Sequence, residues 1–512
     1  MKKHYFLFFS IISIFLNAQS FSLDPTFGNG GYCMYDNFRE TSDAVILPDG
    51  QFITATSTGS ITIRKVNQSG ILDSSFGEKD YDMGSNSLDK SESIKKVILN
   101  NNKILIYGRV NATPTHSLYD WFLTRINLDG SLDTSFGTNG FTTQSVSQNG
   151  TADDFAVDQN GNSYLLISNM GSYMVKVDSN GVIDNNFGTN GKLSLNTFYP
   201  KKFYIQNDGK LVMAGTKTNT LTYTEDSYIE RRLPDGTYDS TFGTNGSVFI
   251  PNTQGSVARN FEYNYTDNSI LVLHSKNTVY GGTFFLSKIQ ISDGASVSGF
   301  SNNGRTPDYS FNYAKQLSLG QITVLPNSKI VITGGVTNMY NGTPNLIAQL
   351  FVTRLNANGS IDYTTSSAGF QYFMAAPPTT SLRADYIKKL FNLNDGSLVL
   401  VYSGGSVTHG SKSFLTKFNS GFLGLDEVSA KDHNYAFILY PNPAGDHISI
   451  QSKKQGHESF EYSIFDMSGK IVQNGSSIFN EQIDIQRLEK GNYMIRFETK
   501  KGDKQSLKLI KK

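Results

Sequence analysis

The sequence predicts an all-β chain, a seven-bladed β-propeller followed by a small, immunoglobulin-like C-terminal β-sandwich. A Phe-Gly motif recurs through most of the 512 residues, a hairpin pattern accompanies it, and the composition holds 47 Gly, 27 Tyr and 35 Phe. Glycine above the usual level of about 7% supplies turns, and aromatic side chains suit the half-buried surface of strands. Charge adds an exclusion. With 45 Lys+Arg against 44 Asp+Glu, there is no basic field of the kind that holds nucleic acid or an anionic membrane. A single cysteine, Cys33, rules out an internal disulfide framework and any multi-cysteine zinc or iron–sulfur site.

From the N-terminus, Lys2 and Lys3 precede an apolar run from Tyr5 to Phe15, and Leu16-Asn17-Ala18 ends it with a small residue. This pattern reads as a secretory signal peptide over residues 1–18, cut between Ala18 and Gln19. The run is well short of the roughly 20 residues that span a bilayer. Next comes the motif: LDPTFGNGG from Leu23, LDSSFGEKD from Leu72, LDTSFGTNG from Leu132, IDNNFGTNG from Ile183 and YDSTFGTNG from Tyr238, with worn copies from Val297 and Ile361. Its phenylalanines, Phe27, Phe76, Phe136, Phe187, Phe242 and Phe300, lie 49 to 60 residues apart, a period that denotes a repeat fold. Each period also carries a hairpin such as AVILPDGQFITA, a strand ending in a basic residue such as FLTRINLDG, and a short strand after the motif such as GKLSLN. Hairpin and basic strand each occur seven times. Four short strands joined by turn signals make a blade, whereas solenoid coils would be shorter, about 20–30 residues.

After the last basic strand, near Lys417, the chain continues as GFLGLDEV with no further Phe-Gly motif. The copy at Leu23 is expected to fill that seat and close the ring. The repeat region therefore covers residues 19–425, a polar link 426–436, and a second domain 437–512. In that domain the alternation in EYSIF and YMIRF predicts strands with one buried face, hence a sandwich.

The FGTNG copies resemble the delta-60 repeat family of bacterial surface proteins, a likeness that covers roughly residues 19–425 and weakens in the sixth and seventh units. It implies a propeller but little chemistry, because propellers host binding and catalysis alike. In the second domain, Tyr440-Pro441-Asn442-Pro443 is followed by Asp446, the FDMSGK turn through Gly469, Gly491-Asn492-Tyr493, and LKLIKK ending at Lys511 and Lys512. These residues resemble the type IX (Por) secretion sorting domain of Bacteroidota proteins. The resemblance implies export across the outer membrane, recognition by the type IX translocon, removal by a sortase-like peptidase and attachment to lipopolysaccharide. The chain would then be secreted or held on the cell surface. An accessory carbohydrate-binding sandwich is the competing reading of this domain.

Basic residues recur at one repeat position, Lys65, Arg125, Lys176, Arg232, Lys288, Arg354 and Lys417, and the motif carries Asp24, Asp73, Asp133, Asp184, Asp239 and Asp362. They could ring a channel. Repetition in every unit favours a structural role, with cation and carboxylate satisfying backbone groups or one another. The VDSNG and PDG turns lack the twelve-residue calcium ligand set with its closing Glu and are expected to be hairpin turns. His116, His274 and His409 lie far apart, and no GxSxG, Walker A or GxGxxG context occurs. No catalytic residue, metal or cofactor is therefore assigned. Trp121 stands where other units have Phe or Leu, and is expected in the core.

Departures from the repeat carry more information. The link between the hairpin and the basic strand is short in the first and third units, but grows elsewhere to segments such as NATPTHSLYD and KTNTLTYTEDS. Tyr119, Tyr223, Tyr280 and Tyr340 lie in these links. A face rich in Tyr, Asn and Thr suits adaptable contact with a glycan or protein, so the sequence predicts a monomeric, non-enzymatic surface binding or adhesion module. Two other classes stay open. One is a propeller-fold glycosidase or polysaccharide lyase using Asp120, Glu225 and Asp226 with His116 as proton shuttle, which needs two carboxylates facing each other. The other is a structural component of the surface layer.

Overall fold

Local turn chemistry sets the hairpins. At Leu47–Gln51 the Asp49 carboxylate accepts the Gln51 N–H at 3.0 Å while Gly50 takes φ +79°, and the chain reverses between Thr41–Ile46 and Phe52–Ser57. Asp208 and Asp395 repeat the arrangement ahead of Gly209 and Gly396, while Asp158 accepts the Asn160 and Asn162 N–H groups on either side of Gly161. Only glycine reaches such φ without strain, so these positions punctuate the repeat.

The structure, a computed structural model, describes residues 22–35, 41–57, 60–82, 92–111, 119–146, 150–168, 171–195, 198–218, 225–250, 256–278, 281–310, 315–340, 343–364, 369–374, 383–393, 395–406, 410–419, 437–440, 444–452, 459–466, 471–499 and 504–512. The expected signal peptide with Ala18 and Gln19, and the link 426–436, lie outside the described residues. The chain divides into two units, one ending at Leu423 and the other beginning at Gly424.

In the first unit the strands form seven four-stranded antiparallel sheets. The first holds Thr41–Ile46, Phe52–Ser57, Ile61–Val66 and Lys79–Tyr81. The second holds Glu92–Asn100, Lys103–Asn111, Tyr119–Asn127 and Phe141–Val146. The third holds Thr151–Val157, Ser163–Ser168, Ser172–Val177 and Lys192–Ser194, and the fourth Tyr199–Ile205, Leu211–Thr218, Glu225–Arg232 and Ser247–Ile250. The fifth holds Ser256–Asn264, Ser269–Thr278, Gly281–Gln290 and Tyr309–Ser310, and the sixth Lys315–Val324, Ile330–Tyr340, Thr343–Leu355 and Phe370–Met374. The seventh combines Arg383–Asn392, Leu398–Ser406 and Gly410–Phe418 with the N-terminal Tyr32–Tyr35.

That last pairing closes the ring. Tyr32–Tyr35 runs antiparallel to Gly410–Phe418, Leu23 bridges Phe418, and the Asp24 N–H donates to the Lys417 carbonyl at 2.9 Å. The motif copy at Leu23 thus fills the vacant seat. Each sheet is buried on both faces, because alternate residues go to opposite neighbours: Leu105 and Tyr107 join the cluster between the second and third sheets, Ile104 and Ile106 the one between the first and second. This explains near-continuous apolar runs such as KILIYG, where a half-exposed strand would alternate. Trp121, 1% exposed, lies in the former cluster with Phe136 and Phe155.

The second unit has a three-stranded sheet, Phe437–Tyr440, His447–Ser452 and Gln482–Asp484, and a four-stranded one ordered Ile471–Ile478, Ser459–Phe465, Gly491–Thr499 and Lys504–Lys511. Ile448, Ile450 and Ile483 of the one share a core with Phe460, Ile464, Ile495 and Phe497 of the other, the arrangement of a sandwich.

Candidate functional site

The repeated charges join neighbouring sheets. Asp133 accepts the Ser135 hydroxyl at 2.6 Å on one oxygen, and Arg125 at 2.8 Å and Lys103 at 2.9 Å on the other. Arg125 lies over the Phe136 ring at 4.6 Å and donates to the Ser179 carbonyl of the next sheet at 2.6 Å. The Ser135 hydroxyl, with Lys103 and Arg125, outweighs burial and holds the Asp133 carboxyl well below the usual range. Asp362 repeats the set with Thr364, Lys329 and Arg354. Charge is thus absorbed between motif and strand end, and these residues do not ring the channel.

One assignment needs correction. In the fourth sheet the repeat cation is Arg231, not Arg232: the Asp239 N–H donates to the Arg231 carbonyl, as Asp133 does to Arg125, and the Arg231 side chain reaches Asp239 at 2.8 Å. Arg232 pairs with Glu230 and lies over Tyr238 at 4.2 Å. Spacing holds the signal, since Lys65, Arg125, Lys176, Arg231 and Arg354 each stand five residues before the turn glycine. Lys288 pairs with Asp267 at 2.6 Å, because the motif aspartate is absent from its unit.

Sequence reasoning missed the ring around the axis. Every first strand has a register shift, between Thr41/Asp43, Ile94/Lys96, Ala152/Asp154, Pro200/Lys202, Ala258/Asn260, Leu319/Ile322 and Ile387/Lys389. Such bulges re-aim side chains. Here Asp43 accepts the Val97 N–H at 2.7 Å, Lys96 binds Asp154 at 2.6 Å, and Asp154 accepts the Phe203 N–H at 3.1 Å. Lys202 donates to the Phe261 carbonyl at 3.3 Å, Asn260 to the Gly320 carbonyl at 2.8 Å, and Lys389 to the Ala44 carbonyl at 2.8 Å and Asp43 at 3.3 Å. Each side chain reaches the next sheet round. The sequence signal is a polar residue three places before an apolar strand end, as Asp43 before Ile46, Asp154 before Val157 and Lys202 before Ile205, too faint to read without the bulge.

Of the binding candidates, Tyr119 begins the third strand of the second sheet, opposite Asn111, with the Arg109 guanidinium 4.6 Å from its ring. Tyr340 pairs with Thr343 at the tip of the sixth-sheet hairpin. Tyr223, Tyr280, His116 and His409 lie outside the described residues. Asp120 and Asp226 sit on third strands of the second and fourth sheets, with the whole third sheet between them, and Glu225 pairs through its backbone with Thr218. Asp120 and Asp226 therefore do not converge. His274 is buried in the fifth sheet against Phe285 at 4.3 Å, and burial lowers its pKa to about 3. Among the described residues no group of three or more His, Cys, Asp and Glu could hold a metal.

In the second unit, motif residues far apart in sequence meet. Ala444 donates its N–H to the Ile510 carbonyl at 2.7 Å and accepts that of Lys512 at 2.8 Å, while the Lys511 ammonium reaches Asp446 at 3.1 Å. Gly491 pairs with Lys511 and Tyr493 with Leu509 across the adjoining ladder. Residues 438–512 match the family described as the secretion system C-terminal sorting domain. The tail is a type IX sorting domain. The chain is therefore exported, to the cell surface or the medium.

Within the sorting domain, Lys511 is nearly buried and Lys512 exposed; Tyr493 donates its hydroxyl to the Glu489 carbonyl at 2.9 Å. Pro441, Asn442, Pro443 and Gly469 lie outside the described residues. In the first unit, residues 99–136 and 325–364 match a β-propeller family described as a domain of unknown function. No curated protein matches the sequence. Among solved structures, PorZ, a surface component of the type IX secretion system of Porphyromonas gingivalis, is 12% identical, with a TM-score of 0.36 over 91% of this chain and 58% of its own. The chain thus spans little more than half of that protein. The Nup133 β-propeller of Vanderwaltozyma polyspora is 10% identical, with a TM-score of 0.37 over 75% of this chain and 97% of its own. An oligogalacturonate lyase in complex with manganese is 7% identical, with a TM-score of 0.41 over 79% and 97% respectively.

Proposed function

We propose that the first unit, residues 19–425, is a non-enzymatic binding module that the sorting domain, residues 437–512, delivers to the cell surface, and that it engages a glycan or protein through one face of the ring. The supporting observation is strand length. The second and third strands have six residues each in the first and third sheets, but nine and nine in the second, eight and eight in the fourth, ten and ten in the fifth, eleven and thirteen in the sixth, and nine and nine in the seventh. The described residues on either side of these links continue the ladder, with backbone pairs such as Thr278 with Gly281 and Tyr340 with Thr343. Five ladders projecting on one face form a preorganised rim, which lowers the ordering cost of binding. The same face receives the chain from each outer strand into the next first strand.

The sorting domain in this reading is the part that the translocon recognises and a sortase-like peptidase removes, with lipopolysaccharide as anchor; the exported unit acts as a monomer. The test shortens the hairpins around 111–119 and 218–225 to the length in the first sheet and applies the variant to glycan and host-protein arrays. Binding should disappear while the melting temperature stays within a few degrees, since surface links contribute little to the core. Unchanged binding would sink the assignment of the face.

A further inference from the structure

The axis ring leaves one group without a structural task. At the register two residues beyond the bulge position, the seven first strands carry Val45, Ile98, Ala156, Tyr204, Glu262, Val324 and Phe391. Glu262 is the ionisable carboxyl among them, and it makes no hydrogen bond or ion pair to a described residue. It belongs to the fifth sheet yet lies within electrostatic reach of Lys202 on the fourth and Lys96 on the second, and the carbonyl of its neighbour Phe261 accepts the Lys202 ammonium at 3.3 Å. Protein surrounds it, and burial lifts its pKa to about 7 against those two cations, yet it keeps contact with solvent. Lys202, also partly exposed, makes one hydrogen bond, to the Phe261 carbonyl.

A row of tyrosines leads from the core between the fourth and fifth sheets out to the surface. Tyr204 lies 5.6 Å from Tyr263, and Tyr263 4.4 Å from Tyr265. Tyr265 is 78% exposed and stands in the turn after Ser256–Asn264, at the end of the ring opposite the projecting hairpins. The chemistry selects among ligands. A cation entering here would meet Lys202 and Lys96; an anion would meet Glu262 and Asp154. A neutral molecule bearing several hydroxyls meets neither penalty, since it can donate to Glu262, accept from Lys202 and lay a C–H face on the Tyr265 ring.

We propose that this mouth of the axial channel binds a neutral saccharide, with Glu262 and Lys202 hydrogen-bonding its hydroxyls and Tyr265 stacking on its ring. The site is separate from the hairpin face, so the two assignments stand or fall independently. Calorimetric titration of the full chain with neutral oligosaccharides of glucose, galactose and mannose, alongside choline and acetate, tests it. At least one oligosaccharide should bind saturably, Tyr265→Ala and Glu262→Ala should each weaken it about tenfold or more, as loss of a hydrogen bond to a charged group or of a stacking ring does, and the hairpin-shortened variant should bind as before. If Glu262→Ala does not fold, Glu262→Gln and Tyr265→Ala carry the test. Absence of binding to every sugar, binding that survives both substitutions or vanishes with the hairpins, or preference for choline or acetate would each overturn the assignment.

Discussion

A motif phenylalanine and the turn glycine of the next sheet compete for one space. Phe136 is 1% exposed, the Gly137 N–H donates to the Asn180 carbonyl at 2.7 Å, and Gly181 has φ +88° with no room for a Cβ, which would fall 2.4 Å from the Gly137 nitrogen. Phe136→Ala should therefore cost ~3–5 kcal/mol, and Gly181→Ala at least the roughly 1–3 kcal/mol of a forced left-handed conformation, both measurable by denaturant unfolding. Titration gives two slopes of opposite sign. Burial would raise the Asp239 and Asp362 carboxyls, but their Thr, Lys and Arg partners hold both at about 2. Their contribution is complete above the unfolded value near 3.9 and lost as pH falls from about 4 to 2, so Asp362→Asn should flatten the acid limb of stability. Glu262 behaves conversely. With a folded pKa of about 7 it favours folding while protonated, so stability should decline from about pH 4.5 to 7, and Glu262→Gln should remove that decline.

Elements show where pattern suffices and where it fails. The hairpins, motif strands and the N-terminal seat were legible because turn residues and apolar runs act over a few positions. The pairing of Tyr32–Tyr35 with Gly410–Phe418 makes a prediction at this scale. Deleting residues 22–35 removes the fourth strand of the seventh sheet together with Phe27, which packs edge-on to Phe52 at 6.5 Å. An open strand edge templates pairing with another chain, so light scattering should show dimers or larger species and calorimetry a lower melting temperature. A monomer of unchanged stability would mean the seat is dispensable. The bulges were not legible: a shift of one residue in a first strand turns polar side chains onto the axis, and Ser42-Asp43 or Lys95-Lys96 alone does not say where it falls. The same one-residue issue put Arg232 where Arg231 belongs.

For the whole molecule, two cores that share no strand separate address from payload. Deleting residues 434–512 should leave the first unit folded, by circular dichroism and melting, but held in the periplasm; surface display at the level of the intact chain would contradict the sorting role. The sequence by itself determined the repeat, its number of units, the closing copy and the export tail, because each depends on short-range chemistry stated again in every period or motif: an Asp-Gly turn, a buried Phe, an apolar run. Only the tertiary structure decided which charges meet. Asp446 and Lys511, Lys96 and Asp154, and Glu262 with Lys202 come from strands tens of residues apart in sequence, the last two pairs from different sheets. Their proximity follows from ring closure, bulge position and sheet pairing, which a local pattern does not encode.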